Sequence, residues 1–397
     1  MIDPRVSSHD FDTYLKLIAE FTTEELIPAE TEMVAAAAVP DRLVASMAEL
    51  GLFGISIPRR YGGLEWSMTQ QVRLTFEFTR ASCVYRSRFS TVIGLCSQAI
   101  LDHGTDEQRD RMLAPMAAGE LVTAFALTEE AAGSDAAHLL TRATREGDDY
   151  LIDGDKRYIT NAGWADAFLV FARTDADTRG AAGVSAFIVD AHAPGVTATS
   201  ATRMNGHAEA PVGEIRFEHV RTPERNLLGG VEGRGLTMAL RGINHARLHV
   251  AATCVGQATR MLEETTAHVT GRRQFGAPLA DLGAVQTVLG AGFAELEAGR
   301  ALVLDCAAAF DAGSIPRHRI AAAKLYCSEM ASRVADNCLQ LLGGAGIVGD
   351  HPVPRMWRDV RALRIYEGSS PVHERNLAKA MIKQVATDGT LPDTFRV

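Results

Sequence analysis

The segment 365–370 reads IYEGSS and places the carboxylate of Glu367 directly before Gly368. Glycine lets the backbone approach a ligand closely, so the neighbouring carboxylate is well placed to act as a base on that ligand. Most Glu-Gly pairs, however, are exposed helix ends. Taken alone, the segment does not decide between a catalytic base and an ordinary turn.

Four other segments contain residue types that suit ligand binding, and they follow one another along the chain. They are ALTEEAAGSD at 126–135, YITN at 158–161, RRQFG at 272–276 and QLLGGAG at 340–346. Hydroxyls and free amides suit a ring edge that alternates donors and acceptors, and an aromatic side chain offers a stacking plane. Arginine binds pyrophosphate through its forked donors. Read singly, each segment is equally a polar loop, a strand end or a helix-ending turn.

Together, in this order, the five segments resemble motifs of the acyl-CoA dehydrogenase flavoproteins. The resemblance implies an FAD cofactor, an acyl-CoA substrate, a role in fatty acid metabolism and reoxidation by an electron-transferring flavoprotein. Glu367 is implied to remove the α-proton while a β-hydride passes to flavin N5, which gives a trans-2-enoyl-CoA. An apolar pocket would raise the pKa of that carboxyl and make it a better base.

The resemblance also implies which residues contact FAD. On the flavin side they are Leu127, Thr128, Gly133, Ser134, Tyr158, Ile159, Thr160 and Ser369. The adenosine diphosphate end would be held by Arg272, Gln274, Phe275, Gln340, Leu341, Gly343 and Gly344 of a neighbouring subunit. The site would then be complete only in a homo-oligomer, either a dimer or a homotetramer. Tyr158 replaces the family's usual tryptophan and still offers an aromatic plane.

Ser134, Asn244, Arg247 and Gly368 are the residues that the resemblance assigns to the substrate. In some branches of the family the base lies one position before the arginine that Arg247 matches. That position is Ala246, which cannot accept a proton, so Glu367 is the matching base.

The chain departs from the family's pattern at several positions. Glu130-Ala131 replaces the usual Pro-Gly, His138 replaces a small residue, Asn244 stands where an acidic residue often contacts pantetheine, and Pro371 stands where Glu or Gln is common.

Two alternative functions and one alternative substrate remain open at this point. An oxidase or flavin-dependent monooxygenase on the same scaffold would let oxygen reach the reduced flavin. A helical assembly protein that has lost catalysis would carry no flavin colour. A carrier-protein thioester is an alternative substrate to acyl-CoA.

Hydrophobic periodicity indicates the elements that must position these residues. From about residue 8 to 120 apolar residues recur at helical spacing, as in Phe11, Tyr14, Leu15, Ile18 and Phe21. Short strands follow, including a hairpin predicted at 150–159 around an Asp153-Gly154 turn. Beyond about residue 233 helical spacing returns, as in Leu289, Phe293 and Leu296.

The predicted class is therefore α+β, since helices and strands do not alternate as a doubly wound sheet requires. The predicted domains are a helical one at 1–120, a β domain at 121–232 and a helical one at 233–397. The strand spacing predicts a small barrel or sandwich for the middle domain, and the resemblance implies a four-helix bundle for the last.

Composition limits the partners and the compartment. A formal net charge of −9 offers no general attraction to nucleic acid or to an anionic membrane. The six cysteines form no C-x-x-C pair, which predicts buried thiols and no metal site. Residues 1–5 lack a signal-peptide pattern and no apolar run approaches the ~20 residues of a membrane span, so we expect a soluble cytoplasmic protein.

Overall fold

The structure, a computed structural model, describes residues 10–178, 180–200, 202–314 and 317–392. The N-terminal segment 1–5, on which the signal-peptide prediction depends, lies outside these ranges.

The N-terminal region contains the helices α1 (Phe11–Phe21), α2 (Glu30–Ala36), α3 (Asp41–Glu49), α4 (Met68–Phe78), α5 (Ser87–Thr91), α6 (Ser97–His103) and α7 (Asp106–Ala118). As the spacing predicts, Phe11, Tyr14, Ile18 and Phe21 are buried on one face of α1.

The middle region forms a single sheet of seven strands, which are β1 (Thr123–Ala126), β2 (Arg142–Glu146), β3 (Asp149–Thr160), β4 (Ala167–Arg173), β5 (Val184–Asp190), β6 (Val196–Ala198) and β7 (Val212–Pro223). Their order is β1-β4-β2-β3-β7-β6, and β5 pairs with β4. The buried face of the sheet packs large side chains such as Tyr150, Phe168 and Phe217. The strands predicted around residues 167–172, 185–189 and 214–217 are all present.

The hairpin predicted around Asp153-Gly154 is wrong. β3 continues through both residues and pairs with β2 on one side and β7 on the other, and the turn lies earlier, between β2 and β3. The pairing with β7 shifts register between Ile152 and Gly154, where Gly154 has φ +144°. A Cβ at this glycine would lie 2.7 Å from the Thr141 Cα, so the Asp-Gly pair marks a bulge.

The C-terminal region has four helices longer than 18 residues, which are α8 (Gly235–Gly271), α9 (Gly283–Asp311), α10 (Arg317–Leu342) and α12 (Ser370–Asp388). The shorter α11 (Pro352–Leu363) precedes α12, and a small hairpin of β8 (Arg273–Gln274) and β9 (Ala277–Pro278) follows α8. α8, α9 and α10 share one core. Phe293 is 59% exposed and lies off the buried face of α9, although Leu296 is buried as expected.

The order of helices, sheet and helices agrees with the predicted α+β class. The domain boundaries at residues 120 and 232 stay predictions. All six cysteines lie in the described part of the chain and are buried and unpaired, as the sequence predicts. No helix among the described residues is long and apolar enough to cross a membrane.

Candidate active site

Glu367 lies in the short loop between α11 and α12, and the backbone of this loop is unusual. Glu367 has φ +55°, which a residue with a side chain seldom adopts, and Gly368 has φ +101°. A Cβ at Gly368 would lie 2.8 Å from the His373 Nε2. Both the positive φ angle and the close approach of His373 therefore favour glycine at this position. The Ser370 N–H donates to the Arg364 carbonyl at 3.1 Å and closes the loop.

Two cationic side chains fix this loop through its carbonyl oxygens. Arg247, on α8, donates from Nε to the Glu367 carbonyl at 2.9 Å and from Nη1 to the Asn244 Oδ1 at 2.7 Å. Lys324, on α10, donates from Nζ to the Gly368 carbonyl at 2.7 Å. The loop is therefore anchored to the two central helices of the C-terminal region, and the Glu367 side chain has no hydrogen-bond partner among the described residues.

The surroundings of Glu367 adjust its pKa in two opposing directions. Burial of the carboxyl group raises its pKa above the ordinary 4.5, while the positive charges of Arg247, Lys324 and Arg86 act against this rise. Glu367 as a whole residue is partly accessible to solvent. Ala246, in the alternative base position on α8, is buried and has no titratable group. These features are those of a general base held in a protected site.

The loop that follows β1 carries the residues expected beside the flavin. The Thr128 carbonyl accepts from the Arg157 N–H at 2.8 Å, and Glu129 and Ala132 exchange two backbone hydrogen bonds of 3.2 Å. Glu130 and Ala131 therefore form the centre of a tight turn, despite the missing Pro-Gly. The Glu130 Oε1 lies 3.0 Å from the Arg157 Nη1, which also ties the turn to β3.

A buried ion pair that the sequence analysis did not identify lies beneath this turn. The Lys156 Nζ lies 2.7 Å from the Glu129 Oε1 and also donates to the Leu127 and Phe171 carbonyls. Burial lowers the pKa of Lys156 to about 8, although the Glu129 charge opposes this. Burial would raise the pKa of Glu129, but Lys156 and hydrogen bonds from Leu140 and Thr141 lower it overall.

The end of β3 connects the sheet to the Glu367 loop. The buried Asn161 side chain donates to the Ser87 carbonyl at 3.2 Å and to the Thr91 Oγ1 at 3.0 Å. Arg86, next to Ser87, is close enough to Tyr366 and Glu367 for electrostatic interaction with both. Residues from all three regions of the chain therefore meet at one site.

The residues around this junction fit the ring of FAD. Tyr158 is 60% exposed at φ +59°, although Ile159 beside it is buried. Thr128, Thr160 and Ser369 are partly accessible, and Gly133 and Ser134 are exposed, so hydroxyls and amides remain available to a ligand. An exposed aromatic plane with hydroxyl donors nearby suits isoalloxazine.

The other predicted FAD contacts lie elsewhere. Phe275, at φ +52°, is 94% exposed at the tip of the β8–β9 hairpin, next to the exposed Arg272 and Gln274. Gln340, Gly343 and Gly344 are exposed at the end of α10, and Leu341 is partly exposed. The rings of His268 and His351 lie 6.2 Å apart, which places both segments at the same end of the helical region.

This end is remote from Glu367 in the same chain. Within α8, Arg247 at the Glu367 loop and Gly271 at the end of the helix are about 36 Å apart at 1.5 Å per residue. The structure thus brings together Glu367, Gly368, Arg247 and Asn244, and separately groups the Arg272 and Gln340 segments.

Sequence reasoning missed two cations close to Glu367, Lys324 and Arg86. Lys324 has no exposed surface and lies on the same helix face as Ile320 and Cys327, which are also buried. A charged residue within an otherwise apolar stripe was the available signal. Arg86 lies outside any regular pattern and had no such signal. No group of three or more His, Cys, Asp or Glu residues suited to a metal occurs within the described ranges.

Models of the three acyl-CoA dehydrogenase domains match the chain, the N-terminal domain at residues 8–120, the middle domain at 124–220 and the C-terminal domain at 233–382. A 3-(aryl)acrylate reductase from Clostridium sporogenes is 35% identical over 93% of this chain and 97% of the relative.

Solved structures of two relatives have the same fold. Butyryl-CoA dehydrogenase from Megasphaera elsdenii has a TM-score of 0.90 and 31% identity, over 94% of this chain and 98% of that one. Glutaryl-CoA dehydrogenase from Mycobacterium smegmatis has a TM-score of 0.87 and 30% identity, over 98% of this chain and 96% of that one. These matches extend over almost the whole chain, and the predicted resemblance and fold class are confirmed. The chain belongs to the acyl-CoA dehydrogenase family of FAD-dependent enzymes.

Proposed function

We propose that the protein catalyses α,β-dehydrogenation of an acyl-CoA to a trans-2-enoyl-CoA, with Glu367 as the base. The observation that carries the proposal is the Glu367 loop, in which two cations hold the backbone while burial raises the pKa of the carboxyl. Bound FAD supplies the acceptor for the β-hydride. Glu367 Oε takes the α-proton, and a carboxyl whose pKa is raised is a stronger base for this step.

Loss of the α-proton places negative charge on the thioester carbonyl, and this charge needs a donor. Within the described chain the Glu367 backbone N–H has no hydrogen-bond acceptor. This free N–H is the donor that we assign to the thioester oxygen, as an oxyanion hole requires. Arg247 supports the arrangement by fixing the carbonyl of the same residue, while Asn244, Ser134 and Gly368 are proposed to contact the substrate.

The same groups serve the reverse reaction, because a carboxylic acid at position 367 returns the proton to the α-carbon. The similarity to a reductase favours testing this direction as well. As electron partner we propose an electron-transferring flavoprotein, to which the name of a relative, a caffeyl-CoA reductase–Etf complex subunit, also refers. Oxygen consumption with substrate would instead indicate an oxidase.

We further propose that FAD binds between two copies of the chain, in a homodimer or homotetramer. The exposed Arg272 segment lies about 36 Å along α8 from Arg247, and Gln340 lies about 24 Å along α10 from Lys324. Both segments are therefore remote from Glu367 of their own chain, which supports a contact with the flavin of a second copy. The exposed Phe275 and Phe293 are apolar surfaces suited to a second copy.

Anaerobic titration with a panel of acyl-CoAs tests the proposed reaction. We expect at least one saturated acyl-CoA to bleach the oxidised flavin in a single turnover, with one enoyl-CoA formed per flavin. A purified protein without flavin colour, or one that no acyl-CoA bleaches and no enoyl-CoA reoxidises after reduction, would contradict the proposal.

A further inference from the structure

Arg86 is a cation without a counter-ion at the candidate site. Its side chain is only partly accessible, and its Nε is buried with no hydrogen-bond partner. It forms no ion pair with any carboxylate in the described ranges. Burial lowers the pKa of Arg86 to about 10, so the guanidinium stays charged at neutral pH. An unpaired guanidinium in such a position is unfavourable for folding and calls for a functional explanation.

The groups around Arg86 leave this charge uncompensated. Tyr366, Glu367 and Cys83 interact with it electrostatically, without forming a hydrogen bond to it. Burial and the nearby Arg86 lower the pKa of His245 to about 4 and hold that of His249 well below its ordinary value, so both rings are neutral. Beside these neutral rings Arg86, the residue before α5, keeps its charge close to Glu367.

The charges near Glu367 do not balance. Arg247, Lys324 and Arg86 all act on the carboxylate of Glu367, while the other carboxylate near Lys324, Glu329, is paired with Arg364. Arg247 and Lys324 donate to the loop carbonyls, whereas Arg86 donates to no group of the described chain. The charge of Arg86 therefore lies close to Glu367, on a side chain that is only partly accessible, and not on an exposed outer surface.

We propose that Arg86 binds a carboxylate at the far end of a short acyl chain, so that the substrate is the CoA monothioester of a dicarboxylic acid. This inference rests on the proposed function, since it assumes that the α-carbon lies at Glu367. A guanidinium binds a carboxylate through two parallel donors, which fixes the chain at both ends. An acyl chain with an apolar end would leave Arg86 unpaired. A site built to bind a polar group strongly rejects ligands that lack that group.

The test compares pairs of CoA thioesters of equal chain length, which are succinyl with butyryl, glutaryl with pentanoyl and adipyl with hexanoyl. Anaerobic flavin bleaching gives kcat/KM for each member with the parent holoenzyme, Arg86→Gln and Arg86→Lys. Arg241→Gln, an exposed position on α8, is the control. Binding of the same thioesters is measured by calorimetry in the Glu367→Gln background, so that affinity is obtained without turnover.

We expect one dicarboxylic thioester to exceed its matched partner by at least about 10²-fold in kcat/KM. In Arg86→Gln this ratio falls by at least about 10²-fold through loss on the dicarboxylic side, whereas Arg241→Gln leaves it unchanged. If the parent prefers the monocarboxylic member of every pair, the inference is overturned while the proposed function stands. If no thioester of either class bleaches the flavin, the proposed function itself fails. If Arg86→Gln does not fold, the ratio of kcat/KM for dicarboxylic over monocarboxylic thioesters is compared between the parent and Arg86→Lys, and this comparison decides the inference.

Discussion

The ammonium group of Lys324, which has no exposed surface, donates a 2.7 Å hydrogen bond to the carbonyl of Gly368, directly after the candidate base. Burial lowers the pKa of Lys324 to about 8, and the charge that it carries below that pH lowers the pKa of Glu367. Lys324 therefore has two effects on the site, since it positions the loop and sets the proton affinity of the base.

Lys324→Met should shift the acid limb of the kcat/KM–pH profile to higher pH. Removing a positive charge near a carboxylate destabilises its ionised form, so Glu367 would keep its proton to a higher pH and be inactive as a base over a wider range. Initial rates from pH 5 to 8 measure the limb. Lys379→Met, at an exposed position on α12, is the control. An unchanged acid limb would show that Lys324 does not influence the base.

Gly368→Ala should destabilise the protein and reduce activity together. Alanine is strained at φ +101°, and its Cβ would lie 2.8 Å from the His373 Nε2, so we expect a loss of about 1–3 kcal/mol in the free energy of unfolding. Urea denaturation measures the loss. Gly283→Ala, where the added Cβ meets open space at the start of α9, should change it little. Equal effects of the two changes would argue against a special loop geometry.

Lys156→Met should cost about 3–5 kcal/mol in unfolding free energy, because it leaves the Glu129 carboxylate buried without its partner. The turn that holds Leu127 and Thr128 would loosen, so FAD should dissociate faster. A second change, Glu129→Leu, should recover part of the stability, since the unpaired charge is then removed. If the double variant is no more stable than Lys156→Met alone, the buried pair does not explain the loss.

The sequence predicted those features that depend on local pattern. The stripe of Phe11, Tyr14 and Ile18 predicted α1. The contiguous Tyr-Glu-Gly motif selected Glu367 as the candidate base, and that role stays a prediction. The Asp153-Gly154 pair misled because the same two residues suit a hairpin turn and a bulge, and the pairing of β3 with β2 and β7 decides between them.

The network around the base was harder to predict. Glu367 contacts residues that lie far away in sequence, such as Arg247 and Lys324, and no short-range period connects them. Arg86 was missed for the same reason. It has no ion-pair partner among the described residues, and only the three-dimensional structure shows this. The resemblance assigns Arg247 to the substrate, which stays a prediction, and the structure adds a hydrogen bond from its Nε to the Glu367 carbonyl.

Arg272→Ala should lower FAD occupancy without unfolding the monomer, because its side chain is exposed. Loss of a charge-assisted donor to a pyrophosphate is worth roughly 1.5–3 kcal/mol, which corresponds to about 10-fold to 150-fold in FAD affinity. Flavin absorbance per chain and size-exclusion chromatography measure occupancy and assembly, with Arg241→Ala as the control. A monomer that keeps its full flavin would contradict binding between two copies.

Glu367→Gln tests the assignment of the base most directly. Glutamine keeps the size of the side chain and the loop carbonyl that Arg247 holds, so flavin content and unfolding free energy should be close to those of the parent. Glu374→Gln, at an exposed position in α12, is the matched control. Adding Ala246→Glu to Glu367→Gln should restore part of the rate, since it places a carboxylate in the alternative position on α8.

The decisive measurement is the anaerobic rate of flavin bleaching by the best acyl-CoA substrate, in parent and Glu367→Gln holoenzymes of equal flavin content. General bases contribute about 10² to 10⁴-fold, so the account predicts a rate at least about 10²-fold slower in the variant. A Glu367→Gln protein that bleaches as fast as the parent would contradict the account and require a different base.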